Sequence, residues 1–229
     1  MGVVIRQSFK ATIVSYVGAV FGYINLIFLY PLCLTPEIYG LTRVVVEAAT
    51  ILAFFSQIGV SNAILRFFPL FQNDAKRHHG FLFYVTIVPC VGFIFFSLVY
   101  VFFKAPIVGY FKGNSALFST YFYYILPLAF FIMYTTVSEA YSTVLMRIVV
   151  PKISREVLLR IVLALVVIAY YFTLLNLDGL IVGFTLAYGI ATLVNIFYIL
   201  KIQNSSFIAD KTIITRENKK SIFPFLLYM

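Results

Sequence analysis

The chain has 229 residues, 62% of them hydrophobic and 11% charged, with a net charge of +9 and a mean hydropathy of +1.01. A soluble globular domain carries about 25% charged residues, so this composition excludes a soluble fold. The basic residues fall between apolar stretches, where membrane topology needs them, and this argues against a nucleic-acid partner.

A hydrocarbon core about 30 Å thick needs roughly 20 mostly apolar residues per helix. Six stretches meet that length, at 12–34, 41–61, 80–103, 116–146, 157–175 and 179–200. Barrel strands are short and alternate strictly, so the pattern predicts an all-α polytopic bundle of six helices. The first apolar run is too long for a cleavable signal peptide, and it leads directly into further spans. Met-Gly at the start resembles a myristoylation site, but Arg6 occupies the position that needs Ser or Thr. Tyr16, Tyr23 and Tyr30 recur every seven residues on this first span, and Cys33 lies at its end. Cys33 and Cys90 are isolated, so the default for each is a small buried apolar residue.

The second span carries the best functional clue. Arg43, Glu47, Thr50, Phe54, Gln57 and Ser61 are spaced by fours and threes. On one helix that spacing makes a single polar stripe. Val45, Ala48, Ile51, Leu52 and Phe55 cover the opposite face. Such a stripe must face a partner or a wet cavity, and ionisable groups inside a membrane mark substrate or ion paths. Each residue also has a plainer reading. Arg43 sits near a helix end and can snorkel. Glu47 can pair with Arg43, though Arg before Glu is the weaker orientation. Thr50 and Gln57 can serve as interhelical glue.

Segment 68–80 follows, with His78 and His79 adjacent, and a turn on the membrane surface fits it. An outer loop is expected at 104–115. The fourth span groups Thr135, Ser138, Glu139 and Ser142 near its inner end. Arg147, Lys152, Arg155 and Arg160 are read as a basic connection into the fifth span. Asp178 is the expected N-cap of the sixth helix. There Thr185, Tyr188, Thr192 and Asn195 share one face, while Gly179, Gly183, Ala187 and Ala191 form a small-residue seam. Pro31, Pro89 and Pro127 are expected at kinks or helix ends. Residues 1–202 thus form the bundle and 203–220 a cytoplasmic linker. Residues 221–229 begin a further apolar run too short to span, which reads as a truncated longer chain in preference to a segment lying at the interface. Fourteen basic residues fall on one side, with only Arg43, Lys104 and Lys112 on the other. The positive-inside rule places both termini in the cytoplasm.

Enzymatic chemistry finds no support, because no two acidic residues pair closely and the adjacent histidines cannot share a helix face as ligands. No metal, no other cofactor and no phosphate loop is expected.

Leu34-Thr35-Pro36-Glu37-Ile38-Tyr39-Gly40 after the first span precedes Gln57-Ile58-Gly59-Val60-Ser61-Asn62-Ala63-Ile64-Leu65-Arg66-Phe67 at the end of the second. This pairing resembles the N-terminal signature of polysaccharide-biosynthesis membrane proteins. These are Wzx-type oligosaccharide-lipid flippases of the multidrug/oligosaccharidyl-lipid/polysaccharide exporter superfamily. The likeness is best over 2–71 and extends by span pattern to Leu200. It implies one lobe of a two-lobe transporter in a bacterial inner membrane, exporting lipid-diphosphate-linked sugars by alternating access for surface polysaccharides such as the O-antigen of lipopolysaccharide. The partners implied are the lipid-linked oligosaccharide, membrane lipids, and the missing half or a second copy of the chain.

On that reading Arg43 attracts the diphosphate or an acidic sugar, and Glu47 positions Arg43 or takes a coupling cation. Thr50, Gln57, Tyr23, Glu139 and Asn195 line the path. A small-molecule exporter of the same superfamily and a non-transporting scaffold of glycan assembly are the alternatives, with a lipid-linked-glycan enzyme behind them.

Overall fold

The computed structural model describes residues 2–71, 81–111 and 116–203. Every element among them is helical, and none is a strand. Lipid offers the backbone no hydrogen-bond partners, so a chain of this composition must satisfy its N–H and C=O groups within helices. The expected linker beyond Gln203, the apolar segment 221–229, His78, His79 and positions 112–115 lie outside the described residues.

The first rod runs without a break through α1 (Gly2–Tyr23), a π-helical turn (Ile24–Leu29) and α2 (Tyr30–Cys33). Leu34 turns extended, and α3 (Pro36–Ser56) begins. Its start follows from local chemistry. Thr35 accepts a hydrogen bond from the Ile38 N–H at 3.5 Å, Pro36 fills the first helical position, and Glu37 sits in the first turn. At 21 residues α3 is about 31 Å long, enough to cross hydrocarbon.

α3 stops where Ile58 and Gly59 take φ of 47° and 65°. This left-handed pair reverses the chain into α4 (Val60–Phe71). The predicted stripe is therefore cut. Arg43, Glu47, Thr50 and Phe54 share the exposed face of α3, whereas Ser61 belongs to the next helix. Gly92 packs here because a Cβ would collide with the Ser56 carbonyl and would meet Ile58 Cδ1 at 2.6 Å.

α5 (Phe81–Phe102), α6 (Lys104–Phe111) and α7 (Ala116–Tyr121) lead through a 3-10 turn (Phe122–Tyr124) into α8 (Ile125–Val144). Pro127 falls in the first turn of α8, where its missing N–H costs little. Then come α9 (Val149–Ile153), a second π-helical turn (Ser154–Leu158), α10 (Leu159–Tyr171) and α11 (Leu177–Gln203). Asn176, not Asp178, caps α11. Its Oδ1 accepts from the Gly179 N–H at 2.8 Å, while Asp178 accepts from the Tyr121 hydroxyl.

Among the described residues, five rods are long and apolar enough to cross a membrane: Ile5–Cys33, Pro36–Ser56, Phe81–Phe102, Leu117–Val144 and Leu177–Ile202. The expected fifth stretch, 157–175, is not among these five and has different bounds. It is helical only to Tyr171 and extends back to Val149, so it takes in Lys152, Arg155, Glu156 and Arg160. Those residues are helical and not, as the sequence suggested, a basic connecting loop. The charges set this rod apart from the other five.

α8 is central and packs against α3, α4, α5 and α11. Tyr121 OH meets Asp178 Oδ1 at 2.7 Å, and Thr135 Oγ1 meets Thr192 Oγ1 at 2.8 Å. Both pairs are 57 residues apart. A separation that stays constant along a seam means parallel helices, so α8 and α11 run in the same direction. The small-residue ridge of α11 is a close seam. A Cβ on Gly183 would meet Val166 Cγ1 at 2.6 Å, and the Ser154 hydroxyl donates to the Ala191 carbonyl at 2.9 Å. Outward faces are bare hydrocarbon, as at Ile94, Phe95 and Leu98 on α5.

Candidate functional site

A cavity of about 520 Å³ lies between the first rod, α3, α8, the charged rod and α11. Its polar wall holds Tyr23, Asn25, Tyr30, Thr42, Arg43, Thr50, Thr135, Thr136, Arg155, Glu156, Arg160 and Tyr188. Three guanidinium groups face one carboxylate, so the cavity is a basin for anions. Ala19, Leu26, Val46, Leu163 and Phe184 supply apolar wall.

The two π-turns build the charged side. In a regular α-helix, residues five apart are about 140° apart around the axis. A π-turn bonds i to i+5, which brings such residues onto one face. Arg155 and Arg160 are five apart across the second π-turn, and both reach the cavity. Asn25 and Tyr30 are five apart across the first, and both line it from buried positions. The turns are tied together, because Asn25 Nδ2 donates to the Arg160 carbonyl at 2.8 Å.

Each arginine of the charged rod is held. Arg160 Nη2 pairs with Glu156 Oε2 at 2.7 Å, and its Nη1 donates to the Gly18 carbonyl. Gly22 forms the notch that admits this side chain, and Gly18 admits Glu156, whose Cβ would lie 2.6 Å from a Cβ there. A Cβ on Gly22 would fall onto Arg160 Nη1. Arg155 Nη1 pairs with Glu139 Oε2 at 2.8 Å. Arg155 and Glu156 also line a second cavity of about 320 Å³, together with Glu139, Thr143, Ile148, Pro151 and Lys152.

The structure scatters the residues predicted from sequence. Tyr23, Arg43 and Thr50 line the large cavity, and Glu139 lines the small one. Arg43 and Glu47 form no ion pair with each other among the described residues, so Arg43 is free to meet a ligand. Glu47 is exposed on α3 and is not part of either cavity wall. Gln57 sits at the end of α3, where its Oε1 accepts from the Ser61 hydroxyl at 2.6 Å. Asn195 has no solvent exposure and lines neither cavity, and neither end of its amide has a partner.

Arg155, Glu156, Arg160 and Asn25 were missed. The signal for the first three was present, since the helical apolar pattern carries back through the charges to Val149. Asn25 stood alone in an apolar run. The cysteines are both free. Comparison with known protein families, curated sequences and solved structures finds no match to this chain. Fold and composition therefore define its class: the described residues are all-helical and hold five candidate membrane spans.

Proposed function

We propose that this chain forms one lobe of a membrane exporter for lipid-diphosphate-linked oligosaccharide, with the large cavity as its binding wall. The observation that carries this is the placement of Arg43, Arg155 and Arg160 around one cavity among apolar helices. Guanidinium forks match diphosphate oxygens, and their charge-assisted bonds strengthen away from water. Tyr23, Tyr30 and Tyr188 offer rings for sugar faces and hydroxyls for hydrogen bonds. The signature residues 34–40 and 57–67 support the same family. The Thr35 cap and the reversal at Ile58 and Gly59 give those residues a concrete structural task.

In this reading the charged rod is a sixth crossing. α8 and α11 are parallel spans, so the chain between them must return across the bilayer. Residues 149–171 are about 34 Å long as a helix, which suffices. The exposed polar face of Arg43, Glu47, Thr50 and Phe54 then needs cover from a second lobe or a second copy. The cavity volume also falls within the range of drug-sized ligands, which favours a small-anion exporter as the second reading.

Binding to the reconstituted full chain tests the proposal. A polyprenyl diphosphate sugar is compared with the uncharged polyprenol. Wild type prefers the diphosphate. Arg43→Gln weakens it about tenfold or more, as loss of one charge-assisted contact implies, and Arg43→Lys recovers part. Equal binding of diphosphate and polyprenol by wild type rules the proposal out. Preference for a soluble organic anion selects the second reading.

A further inference from the structure

We propose that the small cavity is a binding site for a zwitterionic phospholipid headgroup bearing a primary ammonium. The cavity of about 320 Å³ lies where α8 ends at Val144 and α9 begins at Val149. The apolar span Leu117–Val144 ends there, which sets the cavity at headgroup depth. Its volume is that of a pocket for a small ligand.

The charges are nearly all paired, and what remains is one cation and one carboxylate oxygen. Arg155 is held by Glu139 Oε2, and Glu156 Oε2 is held by Arg160. Lys152 makes no ion pair among the described residues. Glu139 Oε1 is buried and accepts no hydrogen bond. A carboxylate has room for several donors, and an unmet buried oxygen is costly. The last torsion of a Glu side chain is soft, so the carboxyl turns toward the cavity at little cost.

One unpaired cation and one unmet carboxylate oxygen suit a ligand with an oxyanion and an N–H-bearing cation. The phosphate lies on Lys152 and the remaining donors of Arg155. The ammonium gives its N–H groups to Glu139. Phosphoethanolamine has both groups on a two-carbon tether. A choline headgroup has the charge but no N–H to donate. The site thus selects on hydrogen bonding rather than on net charge. This inference does not depend on what the large cavity carries.

Thermal melting of the purified full chain in detergent, with added lipid, provides the test. The probes are phosphatidylethanolamine, its mono- and dimethyl forms, phosphatidylcholine and phosphatidylglycerol. Soluble phosphoethanolamine is the control for a non-lipid source. The expected result is a rise in Tm that shrinks with each methyl added to the nitrogen. The half-saturating concentration is about tenfold lower for phosphatidylethanolamine than for phosphatidylcholine. Glu139→Gln erases the difference between those two lipids. Lys152→Gln, which breaks no ion pair, weakens all the phospholipids together. If Glu139→Gln does not fold, the methylation series on wild type decides alone. Equal shifts from phosphatidylethanolamine and phosphatidylcholine overturn the proposal. Saturation by phosphoethanolamine at the same concentration as the lipid overturns the lipid as occupant.

Discussion

Arg160 shows how one side chain is aimed. Its guanidinium is fixed by the Gly18 carbonyl and by Glu156, and the notch at Gly22 leaves room for it. Gly22→Ala separates stability from function. Alanine is favoured over glycine in a helix by about 1 kcal/mol, which offsets part of the local crowding. The guanidinium must still move. Tm is expected to stay within a few degrees, while binding of a diphosphate ligand falls clearly below wild type. Unchanged binding in a well-folded Gly22→Ala protein would remove Arg160 from the anion site.

Thr173 offers a cleaner stability test. Its φ is 58°, and the Leu174 N–H bonds to the Ala169 carbonyl at 3.0 Å across the end of α10. This is the helix-ending position that glycine usually takes. Thr173 is exposed, so its side chain adds little packing. Thr173→Gly is expected to stabilise by about 1 kcal/mol, with no effect on binding. A lower Tm would contradict this.

The π-turns explain where sequence periodicity works and where it fails. Tyr23, Arg43 and Thr50 were legible because α1 and α3 are regular there, and a 3.6-residue period places side chains correctly. The helix through Arg155 and Arg160 was legible, but their convergence on one cavity was not, because in a regular helix they diverge. Asn176 was overlooked as a cap because Asp178 was the more obvious candidate. The break at Ile58 was hidden because a β-branched residue is a poor candidate for positive φ.

A π-turn also carries a testable excess. It holds one residue more than an α-helical turn of the same rod. Deleting Val157 therefore restores α-helical pitch, and Arg155 and Arg160 become four apart, which is again one face. The deletion is expected to fold, to melt within a few degrees of wild type and to keep ligand binding. Deleting Val166 from regular α10 is the contrast. It rotates one half of the rod against the other by about 100° and is expected to abolish folded protein. Equal damage from both deletions would show that the surplus residue has no such tolerance.

For the whole molecule, composition alone pointed to helices long and apolar enough for a membrane, and five such rods are found among the described residues. The position of the charged rod came only from three-dimensional packing. Its charges also alter the topological argument. Arg155 and Arg160 face a cavity, so orientation rests on the remaining basic residues. Arg6, Lys10, Arg147 and Lys201 still fall on one side, and Lys104 on the other. Reporter fusions after Lys10, Arg147 and Lys201 are expected to read cytoplasmic, and fusions after Lys104 and Leu174 external. A cytoplasmic signal at Leu174 would mean that residues 149–171 do not cross.

The Gly18 carbonyl that receives Arg160 has a consequence for biogenesis. Insertion scales charge roughly 2.5–3.5 kcal/mol for each ionised residue at a helix centre. Lys152, Arg155, Glu156 and Arg160 together make residues 149–171 a poor candidate for partitioning into lipid alone. Arg160 and Glu156 pair within the rod, and the partners that its arginines take from outside it are upstream. The Gly18 carbonyl, the Asn25 amide and the Glu139 carboxylate are synthesised first. If this rod crosses as proposed, the translocon receives it after its receptor is built, and it enters lipid by docking rather than by hydrophobicity. Vectorial synthesis becomes a folding instruction, with the acceptors laid down before the charges that need them.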